Sequence, residues 1–226
     1  MAFAIIFDFD GIIVDSEPLH YRAFQRILEP LGLGYDWEEY VARYMGFDDR
    51  EAFAEAFKAG GRQLADGELA RLVARKATVF HEVLADGVTP YEGVVDLIMS
   101  LTGRCPLALC SGALLSDIRP ILAMLGLSRA FDVIVTADDV AISKPDPASY
   151  VLAVQRLQQA FSGSGITAAR CLAIEDTPAG IDAARGAGVK VVAVTNSYPA
   201  ARLAAADLIV DSLARVTLEN CQALLS

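Results

Sequence analysis

From residue 106 onward the chain repeats one pattern, a short and nearly continuous apolar run followed by a stretch with helical spacing. The runs are PLALCS (106–111), DVIVTA (132–137), RCLAIED (170–176), KVVAVT (190–195) and DLIVD (207–211). Runs this rich in Val, Ile, Leu and Ala, without polar alternation, fit strands of a parallel sheet covered on both faces. Between and before them, residues 93–103, 114–126, 147–161 and 178–188 read as helices, and FSGSG (161–165) as a loop. Strand and helix alternating in this way predict an α/β fold built on a doubly wound parallel sheet.

A further apolar run opens the chain and ends in FDFDG (7–11), far from the other runs. Between it and residue 89 the apolar residues recur at helical spacing and no strand-like run occurs. The segments are LHYRAFQRILEPLG, WEEYVARYMG, DREAFAEAFKAG and DGELARLVARKATVFHEVLADG, with breaks at Gly60-Gly61 and Asp66-Gly67. The expected organisation is a Rossmann-like core, residues 1–16 and 89–226, with a helical module, residues 17–88, inserted after the first strand. The chain then crosses between the two near Val14–Pro18 and near Val88–Glu92. Trp37 and its neighbours Tyr35, Tyr40, Tyr44 and Phe47 read as the interior of that module rather than as a ligand platform.

Composition excludes some partners. With 226 residues, 54% of them hydrophobic, the chain can bury a large core. Its 19 Lys and Arg against 29 Asp and Glu give a net charge of -10, a surface that repels polyanions, so nucleic acid is not expected as a partner. No stretch is long and uncharged enough to span a bilayer, and the opening run lacks a basic leader and stops at Asp8, so neither membrane nor signal peptide is expected. Cys105, Cys110, Cys171 and Cys221 have no CxxC spacing and read as packing residues in a reducing compartment. The cytoplasm is the expected location.

In an open parallel sheet ligands bind beyond the carboxyl ends of the strands. Those ends carry Asp8 and Asp10, then Ser111 and Gly112, then Asp138 and Asp139, then Glu175 and Asp176, and Lys144 follows in SKPDP. Two carboxylates about 4 Å apart repel by roughly 4 kcal/mol at an effective dielectric of about 20, and at least three are expected here. A hard dication resolves the conflict. Mg²⁺ takes oxygen ligands and binds through one or two carboxylates plus a substrate phosphate, for which Asp8, a main-chain carbonyl near Asp10, and Asp176 suffice. Asp8 then becomes a nucleophile that forms an aspartyl-phosphate, and Asp10 the acid and base for the leaving and incoming hydroxyls. Ser111 and the amides around Gly11 and Gly112 would hold the phosphoryl oxygens, with Lys144 neutralising their charge. Ser111 also fits a plain helix cap, Lys144 a plain turn, and Asp138 with Asp139 reads as a solvated loop or cap.

FDFDG, LCSG, SKPDP and IEDT, in this order and with a helical insert after the first, resemble the four motifs of the haloacid dehalogenase superfamily of phosphotransferases over essentially the whole chain. DSEPLH and EDTPAGIDAARGAG resemble most the subgroup of β-phosphoglucomutase and sugar-phosphate phosphatases, in which a helical cap closes over the substrate. The resemblance implies Asp8 as nucleophile, Asp10 as acid and base, Ser111 and Lys144 as phosphate partners, Asp176 as metal ligand, and Glu175 as a direct or water-mediated partner of the metal. It places His20 beside the acid/base, a position that a half-buried helix histidine fits equally well. Asp10 favours phosphoryl transfer over dehalogenation.

Arg50 and Lys76 are the cap residues that could grip the distal end of a substrate, though solvated helix faces also carry such charges. Against the β-phosphoglucomutase pattern, Met45 stands before Gly46 where a lysine is expected, and Asp48 and Asp49 replace part of a segment expected to supply an arginine. A mutase needs cations for the second phosphate of its bisphosphate intermediate. The expected function is therefore a Mg²⁺-dependent phosphatase of small phosphorylated metabolites, sugar or polyol phosphates, acting as a monomer or weak homodimer. β-Phosphoglucomutase is the alternative, and a noncatalytic binding or regulatory protein on the same fold a remote one.

Overall fold

Six apolar runs form one six-stranded sheet in the order β3-β2-β1-β4-β5-β6, with every neighbouring pair parallel. The structure is a computed structural model that describes residues 3–45, 47 and 49–225. In chain order, β1 (Ala4–Phe7) is followed by the helices α1 (Glu17–Leu28), α2 (Trp37–Glu39), α3 (Asp49–Ala59) and α4 (Glu68–Leu84). Next come α5 (Val94–Leu101), β2 (Leu107–Cys110), α6 (Leu115–Met124), β3 (Val133–Val135) and α7 (Ala148–Ala160). The chain ends with β4 (Cys171–Glu175), α8 (Pro178–Gly186), β5 (Lys190–Val194), β6 (Leu208–Val210) and α9 (Leu218–Leu224).

The expected α/β class and parallel sheet are therefore observed. Every residue of β1, β2 and β4 is buried, which is why their sequences carry no polar alternation. The chain winds outward from β1 to β3 on one side and from β4 to β6 on the other, so the order reverses between β1 and β4. That reversal opens a crevice at the carboxyl ends of the two strands. Register aligns the strand ends there, since Phe7 lies level with Leu109 of β2 and Ile174 of β4. The four cysteines are buried and free, in keeping with a packing role.

The chain divides into two compact units, residues 1–15 with 89–226 and residues 16–88. Ser16, placed with the core on the sequence reading, falls in the helical unit. There α1 and α3 each pack against α4, and Phe24 meets Phe53 edge to face at 5.2 Å. α2 runs on into a π-helical turn over Tyr40–Tyr44. Its rings stack on one another, Tyr35 on Tyr44 at 4.1 Å and Trp37 on Tyr40 at 5.3 Å. Tyr40 and Tyr44 are buried, as read from the sequence, whereas Trp37 and Phe47 are exposed. Sequence reading did not place α9, a seven-residue helix opened by a capping box of Thr217 and Asn220. Among the described residues no helix is long and apolar enough to cross a membrane.

Ile6 lies in the middle of β1, fully buried between Ala108 and Ala173. Ile6→Ala is expected to cost about 2–5 kcal/mol of stability, because the flanking alanines cannot fill the space. Urea unfolding of both proteins measures it.

Candidate active site

β1 carries Asp8 to the carboxyl edge of the sheet, where its amide still donates to the Ile174 carbonyl at 3.0 Å. β4 delivers Glu175 and Asp176, both completely buried. Carboxylate oxygens of Asp8, Glu175 and Asp176 lie within 4.8 Å of one another. Lys144, from the segment between β3 and α7, reaches into this cluster. Its ammonium donates to Asp8 Oδ1 at 2.7 Å, to Glu175 Oε1 at 2.6 Å and to the Cys110 carbonyl at 3.1 Å. Three protons thus meet three acceptors, the full capacity of a lysine. Beneath it, the Tyr150 ring lies 5.1 Å from the ammonium and its hydroxyl donates to Glu175 Oε1 at 2.7 Å.

Burial sets the electrostatics. Desolvation, with the charges of Glu175 and Asp176 added, raises the Asp8 carboxyl well above the usual carboxylate range, and Lys144 offsets only part of this. For Lys144, burial opposes its charge, but the Asp8 and Glu175 carboxylates outweigh that and hold its pKa well above the ordinary value. Asp176 is pushed up to about 7, by burial first and by the Glu175 charge, against a hydrogen bond from Ser197.

The cluster fits a hard dication on one observation. Asp176 accepts from the Ser197 hydroxyl at Oδ2, while its Oδ1 is buried with no hydrogen-bond partner. A desolvated carboxylate oxygen left alone is costly, and an oxygen-seeking cation satisfies it. Glu175 differs. Its Oε1 is taken by Lys144 and Tyr150, and its Oε2 faces the Asp176 amide at 3.3 Å and the Thr177 hydroxyl at 3.4 Å.

Two glycines make room for these acids. Gly11 has φ +80°, and a side-chain carbon there would overlap the Asp176 carboxylate. A side chain on Gly180, in the first turn of α8, would overlap Glu175. Asp10 is half-buried in the turn after β1, closed by Gly11 N–H to the Val14 carbonyl at 2.9 Å, and its charge bears on Asp176.

Ser111 is buried at the end of β2, and its hydroxyl accepts from the Ala113 amide at 2.9 Å. It does not cap α6, which starts after Leu114. Gly112 has open space where a side chain would stand. Asp138 and Asp139 bond structurally. Asp138 accepts from the Leu115 amide at the start of α6, and Asp139 from the Thr136 amide and from Arg156 at 2.6 Å.

In the helical unit, Lys76 is only 3% exposed and sits between the Phe24 and Phe80 rings, 5.1 Å from each. Its ammonium lies 2.7 Å from Asp49 Oδ1 and 2.7 Å from His20 Nδ1. A lysine ammonium has no acceptor, so His20 Nδ1 must carry the lone pair and the neutral ring its proton on Nε2. Burial, and then the Lys76 charge, lower the His20 pKa to about 3. Arg50 is exposed at the start of α3. Gly46 and Asp48 lie outside the described residues.

Sequence reasoning missed three residues that touch the site's framework. Tyr150 reads from the sequence only as part of a helix. Ser197 binds Asp176, and Asn196 donates its amide to the Gly11 carbonyl at 2.6 Å. Both follow β5, where the end of KVVAVT is the strand-end signal that marks them.

Because the folded pKa of His20 lies far below its unfolded value of about 6.5, the unfolded chain binds the extra proton first. The stability that neutral His20 contributes is complete above about pH 6.5 and is lost as pH falls from there towards about 3. Imidazole proton shifts of His20 are expected to stay flat from pH 8 to pH 5 by NMR. A midpoint near 6.5 would contradict the buried Lys76 contact.

The family model for haloacid dehalogenase-like hydrolases matches residues 5–194. The fructose-1-phosphate phosphatase YqaB of Escherichia coli (strain K12) is 34% identical, over 84% of this chain and 95% of that protein. The β-phosphoglucomutase of Bacillus subtilis (strain 168) is 29% identical, over 96% of this chain and 92% of that protein. The crystal structure of CbbY from Rhodobacter sphaeroides in complex with phosphate superposes with a TM-score of 0.83, at 29% identity over 98% of this chain and 100% of that one. The motifs at the strand ends, the sheet they terminate and these likenesses agree, and the chain belongs to the haloacid dehalogenase-like hydrolase family.

Proposed function

We propose that this chain is a Mg²⁺-dependent phosphatase of small phosphorylated metabolites, sugar or polyol phosphates, with Asp8 as its nucleophile. The observation that carries the reading is the buried junction of Asp8, Lys144 and Glu175 beside the unpartnered Asp176 Oδ1. A carboxylate cluster of this density has no use in packing, and it matches the demands of a phosphate bound next to a cation. The similarity to phosphatases of phosphorylated carbohydrates supports the substrate class.

In this scheme a carboxylate oxygen of Asp8 attacks phosphorus, the bond to the leaving alkoxide breaks, and Asp10 supplies its proton. The resulting acyl phosphate on Asp8 is then opened by water, whose proton Asp10 takes, restoring both carboxyl groups to their starting state. Lys144, already in contact with Asp8, neutralises charge on the transferring group. Ser111 and the amides about Gly11 and Gly112 orient its oxygens. Asp8, the main-chain carbonyl near Asp10, and Asp176 would hold Mg²⁺, which when bound offsets phosphate charge so that an anion can approach these acids. Glu175, whose oxygens are engaged by protein donors, fits a water-mediated role and fixes Lys144.

By the resemblance, residues 17–88 are assigned the role of the cap. Lys76 bears on the choice between phosphatase and mutase. Its ammonium is taken up by Asp49 and His20, which leaves it poorly suited to grip a second phosphate. Arg50 remains an exposed cation of that region. The β-phosphoglucomutase reading rests on the similarity over nearly the whole chain.

With Mg²⁺, the purified protein is expected to release inorganic phosphate from sugar or polyol monophosphates, and to stop when EDTA is added. Clean interconversion of glucose 1- and 6-phosphates without phosphate release would select the mutase instead. Asp8→Asn should abolish turnover, and activity surviving it would sink the nucleophile assignment. Asp10→Asn should lower kcat by about 10²–10⁴-fold, the usual worth of a positioned acid and base.

A further inference from the structure

The segment after β5 contributes nothing to the scheme above, yet it makes two bonds to the framework of the site. Asn196 donates to the Gly11 carbonyl, one residue beyond Asp10, and the Ser197 hydroxyl donates to Asp176 Oδ2. Gly11 and Asp176 are themselves in contact, since a side chain on Gly11 would collide with that carboxylate. The Asp176 carboxylate is thus bounded on one side by the Gly11 backbone and fastened at one oxygen by Ser197.

A carboxylate has one torsion about its last bond and two equivalent oxygens. Fastening Oδ2 leaves Oδ1 as the spare oxygen of an acid that belongs to the buried cluster, and Oδ1 is the one with no hydrogen-bond partner. We infer that Ser197 is a positioning residue, which sets the orientation of Asp176 so that Oδ1 is presented to a divalent cation before the cation arrives. The inference rests on the metal reading of the acidic cluster. Groups that orient ligating side chains in this way typically govern metal affinity by about 10–100-fold. Ser197 is itself exposed, so removing its hydroxyl leaves the core untouched and lets water compete for Oδ2.

Isothermal titration of the metal-free protein with MgCl₂ tests the inference without reference to turnover. Ser197→Ala is expected to raise the Kd for Mg²⁺ by about 10–100-fold, and Ser197→Thr, which keeps the hydroxyl, to bind close to wild type. Ser197→Val matches the shape of threonine without its hydroxyl and is expected to behave as the alanine variant does, which isolates the bond should Ser197→Ala fold poorly. Unchanged Mg²⁺ affinity in the alanine and valine variants would overturn the role of Ser197 and leave the metal site standing. Equal weakening in the threonine and valine variants would overturn it too, since shape rather than the hydroxyl would then be responsible. A wild-type protein that binds no Mg²⁺ would remove the metal reading and this inference together.

Discussion

One ammonium holds together a place where acids from separate strands converge. Without Lys144, Asp8 and Glu175 would face each other and Asp176 in a desolvated setting, each pair repelling by several kcal/mol. Buried ion pairs of this sort are seldom net stabilisers, because desolvation consumes most of the attraction. The sheet beneath must therefore carry the cost. The apolar β1 and β2 and the apolar residues 171–174 of β4 do so, anchoring the backbone on either side of the charged edge.

That division of labour explains why the edge is built from backbone as much as from side chains. Gly11 and Gly180 are needed because carboxylates occupy the volume where their side chains would stand. Tyr150 reaches up from α7 to share Glu175 with Lys144, so that no oxygen of this deepest acid lacks a donor. Asp176 is the exception, half satisfied and half open. The contrast between two adjacent acids, one saturated and one with a spare oxygen, separates the group that steadies the lysine from the group with coordinating capacity to spare.

Much of this was legible in the sequence because burial on both faces leaves a plain mark. Strands such as CLAIE and KVVAV cannot alternate, and helices such as that of Glu68–Leu84 must. The strand-end rule then singles out Asp8, Ser111 and Glu175. What stayed hidden depends on contacts between distant segments. Nothing in the residues around Lys76 announces that Asp49 will neutralise it, since α3 and α4 meet only in the folded unit. Tyr150 looks like any core aromatic, its hydroxyl acquiring a task only when Glu175 arrives from β4. α9 is short and flanked by polar residues, so its periodicity is faint although its capping box is plainly written.

The insertion after β1 has a consequence for how the chain is made. β1 leaves the ribosome before the other strands of its sheet, and its two neighbours are Leu107–Cys110 and Cys171–Glu175. At ordinary synthesis rates the second of these follows on the order of ten seconds later. Until β2 is made Ala4–Phe7 has neither of its native ladders, and until β4 is made it has at most one, while the helical unit is drawn from one contiguous stretch. Of the strands of this sheet β1 consequently waits longest for both of its neighbours, and it is there that a holding chaperone would find its target.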